Sequence, residues 1–233
     1  MKTKIALSIC LMIMLTGCVF GTDGSGKVVT ETRTVENFAG VELKSAANVY
    51  ITQGETQEVK IEAEDNLIQY ITAEVKNNEL VIDCKKNIDA HEPINIYITA
   101  KEICLLELSG SGNMITKNMI SCNHLTLRLD GSGEMNVMLK SQLLKATLSG
   151  SGNLDLNGST AESNIRISGS GNVNAQQMKT FTSSVSISGS GNTKVDVNNE
   201  LNVNITGSGN VFYVDEPAKI TTKITGTGEV QKI

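Results

Sequence analysis

Cys18 is the residue with the clearest chemistry in the chain. It closes Leu15-Thr16-Gly17-Cys18, an apolar residue and two small ones ahead of a thiol. Ile5 to Leu15 form an apolar run broken only by Ser8, and Lys2 and Lys4 precede it. That run is too short to cross a bilayer as a mature helix and fits the h-region of a signal peptide. The spacing resembles a bacterial lipobox, whose cysteine becomes lipidated. Several acyl chains on one cysteine would anchor the chain stably, at roughly 0.8 kcal/mol per buried methylene. Cleavage before Cys18 removes two lysines and no acid, so the formal net charge of -5 becomes -7.

Other candidates for chemistry carry less. Gly21-Thr22-Asp23-Gly24-Ser25-Gly26-Lys27-Val28 nearly fits a phosphate-binding loop. Such a loop needs a hydroxyl after the lysine and a strand before the glycines, and both are missing from the pattern. The Gly-Ser-Gly serines lack the glycine-x-serine-x-glycine elbow and an acid–base partner; His91 and His124 each stand alone. Cys84, Cys104 and Cys122 have no zinc spacing, so the sequence implies no metal and no cofactor. Cys104 falls in an inward column with Leu125, Leu144, Leu201 and Ile220 and reads as a small core residue. An oxidising compartment leaves Cys84–Cys104 or Cys104–Cys122 pairing open.

The elements that would position these residues come from a repeat. Gly-Ser-Gly recurs at Gly110, Gly131, Gly150, Gly169, Gly189 and Gly207, with Gly226-Thr227-Gly228 as a seventh copy, in steps of 21, 19, 19, 20, 18 and 19 residues. The second glycines are Gly112, Gly133, Gly152, Gly171, Gly191, Gly209 and Gly228. Asparagine follows at Asn113, Asn153, Asn172, Asn192 and Asn210, and glutamate at Glu134 and Glu229. Apolar residues stand two positions before each first glycine, and four before all but the seventh, where Thr222 stands, with polar residues between them. Period-two alternation marks half-buried strands. Similar side chains at fixed offsets in every copy predict parallel strands stacked in ladders about 4.8 Å apart. The expected fold is an all-β parallel β-helix, or β-solenoid, with rungs of about 19 residues. Its corners would use glycine for positive φ, and asparagine for tolerance of the left-handed region and for hydrogen bonds along the rod.

Residues 1–17 read as signal peptide and 18–35 as lipidated cysteine and flexible tether. Residues 36–233 read as one domain: 36–105 an irregular cap with early rungs, 106–233 the seven Gly-Ser-Gly rungs. Val41-Glu42-Leu43 aligns with Leu106-Glu107-Leu108 as a degenerate first rung, strands are expected at Val49–Thr52, Val59–Ala63, Leu80–Cys84 and Ile94–Ile98, Asp65 to Tyr70 suit a helical turn, and Asn77-Asn78 signals a hairpin. Asn37-Phe38-Ala39-Gly40-Val41-Glu42-Leu43, Val49-Tyr50-Ile51-Thr52-Gln53-Gly54, Asp65-Asn66-Leu67 and Asn78-Glu79-Leu80-Val81-Ile82, followed by the Gly-Ser-Gly rungs, resemble the auto-transporter adhesin head GIN domain of Bacteroidetes lipoproteins. The resemblance covers residues 30–230. It implies a right-handed β-helix and an exported location, and brings no catalytic residues.

A pI near 5.2, 3% aromatics and no tryptophan argue against nucleic-acid binding. They also argue against a polysaccharide-cleaving β-helix enzyme, whose clustered acids and aromatic platforms are missing. The expected role is a non-enzymatic, adhesin-like interaction module in the cell envelope, anchored by lipid to the outer membrane. Its outward column Thr126, Lys145, Asn164, Ser184, Asn202 and Thr221 could meet a polysaccharide or a protein surface.

Overall fold

The computed structural model describes residues 21–233; the expected signal segment 1–17 and Cys18 lie outside the described residues. The N-terminal part supplies β1 (Thr22–Asp23), β2 (Val28–Arg33), β3 (Gly40–Leu43), β4 (Asn48–Gln53), β5 (Glu58–Glu64), β6 (Ile71–Lys76), β7 (Glu79–Cys84), β8 (Ile88–Asp89) and β9 (Asn95–Ala100). The repeats supply β10 (Leu105–Gly110), β11 (Asn113–Thr116), β12 (Ile120–Ser121), β13 (His124–Gly131), β14 (Glu134–Gly150), β15 (Asn153–Gly169), β16 (Asn172–Gly189), β17 (Asn192–Gly207), β18 (Asn210–Tyr213), β19 (Lys219–Gly226) and β20 (Val230–Lys232).

The expected parallel solenoid is the observed fold. Leu106, Leu127, Ala146, Ile165, Val185 and Val203 stack in register, as do Leu108, Leu129, Leu148, Ile167, Ile187 and Ile205. All twelve are buried and build one wall of the core. Met114, Met135, Leu154 and Val173 line the next wall. The third side was expected to be a loose return. It is also laddered, from Ile120 through Leu139 and Gly158 to Met178. Buried hydroxyls there bridge rungs, as Ser141 Oγ does to Thr160 Oγ1 (2.9 Å) and Ser163 Oγ to Ser183 Oγ (2.7 Å), so each satisfies the other.

The corners never lose register, although rung length varies from 18 to 21 residues. Gly110, Gly131, Gly150, Gly169, Gly189, Gly207 and Gly226 form one continuous column. The surplus or deficit is absorbed elsewhere, by irregularities between Asp155 and Asn157 and between Ala175 and Lys179. The two glycines of a corner are required for different reasons. Gly131 has φ +124°, where an L side chain is strained. Gly133 has no such φ, but a Cβ there would lie 2.5 Å from the Gly112 carbonyl oxygen and 2.7 Å from Leu108 Cδ2. The Gly110 carbonyl accepts both the Ser132 N–H (3.1 Å) and the Gly133 N–H (3.0 Å), and the bond pair recurs at later corners.

The corner asparagines take only one of their two expected roles. Among the described residues, positive φ outside glycine is confined to Asn77 and Asn78, in the predicted hairpin. Asn113, Asn153, Asn172, Asn192 and Asn210 instead open strands in extended backbone and bond along the rod. Asn172 Nδ2 donates to Asn153 Oδ1 (3.2 Å), and Asn210 Nδ2 to Asn192 Oδ1 (2.9 Å).

Stacking order departs from chain order at the N-terminal end. The β3–β4 coil pairs with β10 and β11 in the expected alignment, Val41 to Leu106 and Asn48 to Asn113. Its other edge pairs in parallel with β7 and β9, which form a further coil outside it. Beyond that coil the direction reverses: β6 runs antiparallel to β7, β5 to β9 and β2 to β5. These strands end the parallel ladder and cover its edge. Asp65 to Tyr70 contains a single 3₁₀ turn, Ile68–Tyr70.

Residues 21–33 correct the expected tether. Thr22 and Asp23 pair with Ile88 and Asp89, and all of β2 is laddered to β5. The glycine-rich stretch has little to bury, but its backbone groups find partners in the cap.

Candidate functional site

The outward column expected from sequence is present in register: Thr126, Lys145, Asn164, Ser184, Asn202 and Thr221. Two residues along each strand runs a second column of Arg128, Thr147, Arg166, Ser186, Asn204 and Lys223. Ser184, Ser186, Asn202, Asn204, Thr221 and Lys223 line a shallow trough of about 110 Å³. Every second residue of these strands points to the core, so the outward ones form a flat, short-chained surface of hydroxyls, amides and scattered cations.

Some acids on the rod are tied to bases on neighbouring rungs. Arg128 Nη1 meets Glu107 Oε2 at 3.0 Å and Lys219 Nζ meets Glu200 Oε1 at 2.8 Å. The Lys219 bond, and one from Asn202, hold the Glu200 carboxyl below its ordinary value. A glycosidic bond needs two facing carboxylates, one of them kept protonated. Cross-rung pairing does the opposite, since it favours the ionised acid. Among the described residues no group of three or more His, Cys, Asp or Glu side chains could hold a metal ion.

His91 and His124 are far apart in the fold. His91 lies after β8, and its backbone N–H serves Glu64; His124 is exposed at the start of β13. Cys104 is not the core residue expected. Ile103 takes the inside position, fully buried, because β10 begins only at Leu105. Cys104 is half-buried and forms a disulfide with Cys122, leaving Cys84 free. Beside this disulfide lies an open groove of about 1,020 Å³ that includes Gln53, Lys140 and Gln142.

Two arrangements escaped the sequence reading. Tyr50 and Tyr97 stack with ring centroids 5.2 Å apart, Lys60 sits over Tyr97 and Lys117 over Tyr50. Asn48-Val49-Tyr50-Ile51-Thr52 and Asn95-Ile96-Tyr97-Ile98-Thr99 are near copies, a signal that would have placed both tyrosines on adjacent rungs. Each ring face meets the other ring or an ammonium group, so the pair is no open platform for a sugar. The second is the glycine-rich loop before β2. Its Gly26 N–H points at an internal anion, Glu64, which also accepts the His91 N–H (2.9 Å). Ser25 Oγ donates to Asp65 Oδ1 (2.6 Å), and Lys27 Nζ lies 3.3 Å from Asp65 Oδ2. The loop that mimics a phosphate cradle is filled by the protein's own carboxylate.

Residues 37–217 match the family described as putative auto-transporter adhesin, head GIN domain. The chain belongs to this family. No curated protein matches the sequence. Solved structures share the head GIN fold at low identity. A putative adhesin from Bacteroides fragilis is 22% identical, with TM-score 0.86 over 91% of this chain and 100% of its own. A putative lipid binding protein from Parabacteroides distasonis is 21% identical, with TM-score 0.78 over 92% and 100%. A putative adhesin from Parabacteroides merdae is 21% identical, with TM-score 0.75 over 91% and 99%.

Proposed function

We propose that this head GIN domain is a non-enzymatic, adhesin-like module of the cell envelope, held to the outer membrane by acylated Cys18, that engages an extended polysaccharide. The observation that carries the binding role is the flat polar face around Ser184, Asn202 and Thr221. Rungs about 4.8 Å apart repeat hydrogen-bonding groups along the rod. An extended chain with repeating hydroxyls can meet such a lattice at several points at once. Cross-rung ion pairing of Glu107 and Glu200 supports the non-enzymatic reading.

The anchor fits the same picture. Only three residues lie between Cys18 and Thr22, four steps of the backbone, which bounds the spacer at ~14 Å of extended chain. In this reading the capped end sits against the bilayer and the C-terminal rungs face away from it.

A glycan array and a panel of matrix proteins test the ligand, with Asn202→Arg and Ser184→Arg as face-blocking variants. Glycan binding lost in both variants supports the proposal; binding only to proteins, or glycan binding unchanged by both, refutes it. Fractionation of cells expressing Cys18→Ala tests the anchor. The variant should leave the membrane fraction, and continued membrane association refutes lipid anchoring.

A further inference from the structure

The two ends of the rod differ. At the N-terminal end, antiparallel strands cover the last parallel coil. At the C-terminal end β19 pairs with β17 on one edge, and among the described residues no strand lies on the other. Ile224 is 41% exposed, whereas Ile205 and Ile187, its counterparts in the column, are 0% and 2% exposed. An unpaired strand edge beside uncovered apolar side chains is a template for another strand.

We propose that this edge is covered by a second copy of the chain, with β19 paired antiparallel to its symmetry mate about Thr222. The strand's own order selects the partner. Its inward residues read Ile220, Thr222, Ile224, and its outward residues Lys219, Thr221, Lys223, Thr225. A two-fold pairing keeps like faces together only when centred on a residue. Centred on Thr221, Lys219 stands opposite the mate's Lys223; centred on Lys223, that lysine stands opposite itself. Like charges directly opposite destabilise a strand pair. Centred on Thr222, Ile220 faces Ile224, Lys223 faces Thr221 and Lys219 faces Thr225. Of the two registers that pair seven of the strand's eight residues, centred on Thr222 or on Lys223, only the first joins apolar to apolar and separates every lysine. Such an interface is isologous and closes as a dimer.

The test uses the chain from residue 18 onward, soluble through Cys18→Ala and with Cys84→Ser to remove the free thiol. Sedimentation equilibrium should show a monomer–dimer equilibrium. Thr222→Lys places two ammonium groups opposite each other on the axis and should weaken dimerisation at least about tenfold. Thr221→Glu sets a carboxylate opposite the mate's Lys223 and should tighten it, which a merely unstable variant would not do. Under mild oxidation Thr222→Cys should cross-link to itself, because paired Cα atoms in an antiparallel ladder lie about 4.5–5.5 Å apart. Thr225→Cys, opposite Lys219, should not. A chain that stays monomeric at all concentrations overturns the proposal. So does a dimer indifferent to Thr222→Lys, or one that cross-links as readily through position 225.

Discussion

The wholly buried carboxylate of Glu64 accepts the backbone N–H of Gly26, a residue 38 positions earlier, and so fastens the start of the chain to the cap. Burial pushes the Glu64 pKa up. The N–H bonds from Gly26, Glu92 and His91, and the nearby His91 ring, outweigh it, and the net direction is down from the ordinary value of 4.5. The sign follows from linkage. A group whose folded pKa is depressed stabilises the fold above its unfolded pKa, and that contribution fades as pH falls through the folded value. Thermal unfolding should therefore show a midpoint that drops below about pH 4.5. Glu64→Gln, which turns an amide N–H₂ toward backbone donors, should lower the midpoint at neutral pH and flatten the acid limb. A variant with the wild-type pH profile would show that this carboxylate does not fasten the cap.

The corner glycines make a separable prediction. Gly131→Ala forces a side chain into φ +124°, and Gly133→Ala drives a methyl group against the Gly112 carbonyl and Leu108. Each should cost on the order of 1–3 kcal/mol, through backbone strain in the first and overpacking in the second. Ser132 between them is exposed, and Ser132→Ala should stay within about 0.5 kcal/mol of wild type. Urea unfolding of the three variants checks the order. Equal effects at all three positions would mean that the corner does not rely on close backbone approach.

Much of this architecture was legible because a parallel solenoid repeats its side chains at fixed offsets. The inward columns through Leu129 and Ile167, the hairpin at Asn77-Asn78 and the pairing of Val41 with Leu106 all followed from spacing. The rest was hidden for physical reasons. The coil made of β7 and β9 has no Gly-Ser-Gly corner, since its corner is a long excursion that carries β8 and the His91 loop, and only the Asn95–Thr99 copy of Asn48–Thr52 betrays it. Residues 22–33 are held by backbone bonds and by Glu64 and Asp65, which composition cannot reveal. Asparagine at a corner suggested the left-handed region, but the amide bonds along the rod suffice to explain its choice. The outward polar column was readable residue by residue, while its flatness depends on the register of six strands.

The Cys104–Cys122 bond spans 18 residues between successive rungs. Closing a loop of that size removes unfolded-state entropy worth about 3 kcal/mol. Reduction, or the pair Cys104→Ala and Cys122→Ala, should lower the urea midpoint accordingly while leaving the later rungs folded, because the rungs from β14 to β17 have ladders on both sides. Far-UV circular dichroism before and after reduction checks both parts. Wholesale unfolding on reduction would mean that the disulfide, rather than the stacked core, holds the rod together.

Asp196 presents the opposite problem, a carboxylate buried among Val195 and Val197 near the C-terminal end. Its Oδ2 lies 2.6 Å from Lys179 Nζ, which also reaches Asp215 Oδ2 at 3.0 Å, while Oδ1 finds no hydrogen-bond partner. The bonds to Asp196 and then to Asp215 hold the Lys179 ammonium above its ordinary pKa. Removing the lysine leaves a buried negative charge with nothing to offset it, whereas removing the charge itself relieves both defects. Lys179→Met should thus destabilise the protein clearly, Asp196→Val less, and the double variant Lys179→Met with Asp196→Val should recover most of the loss. Urea midpoints of the four proteins form a double-mutant cycle that reads the coupling directly. Additive losses would show that the ion pair contributes nothing as a pair and that Asp196 is tolerated by solvent reaching the rung.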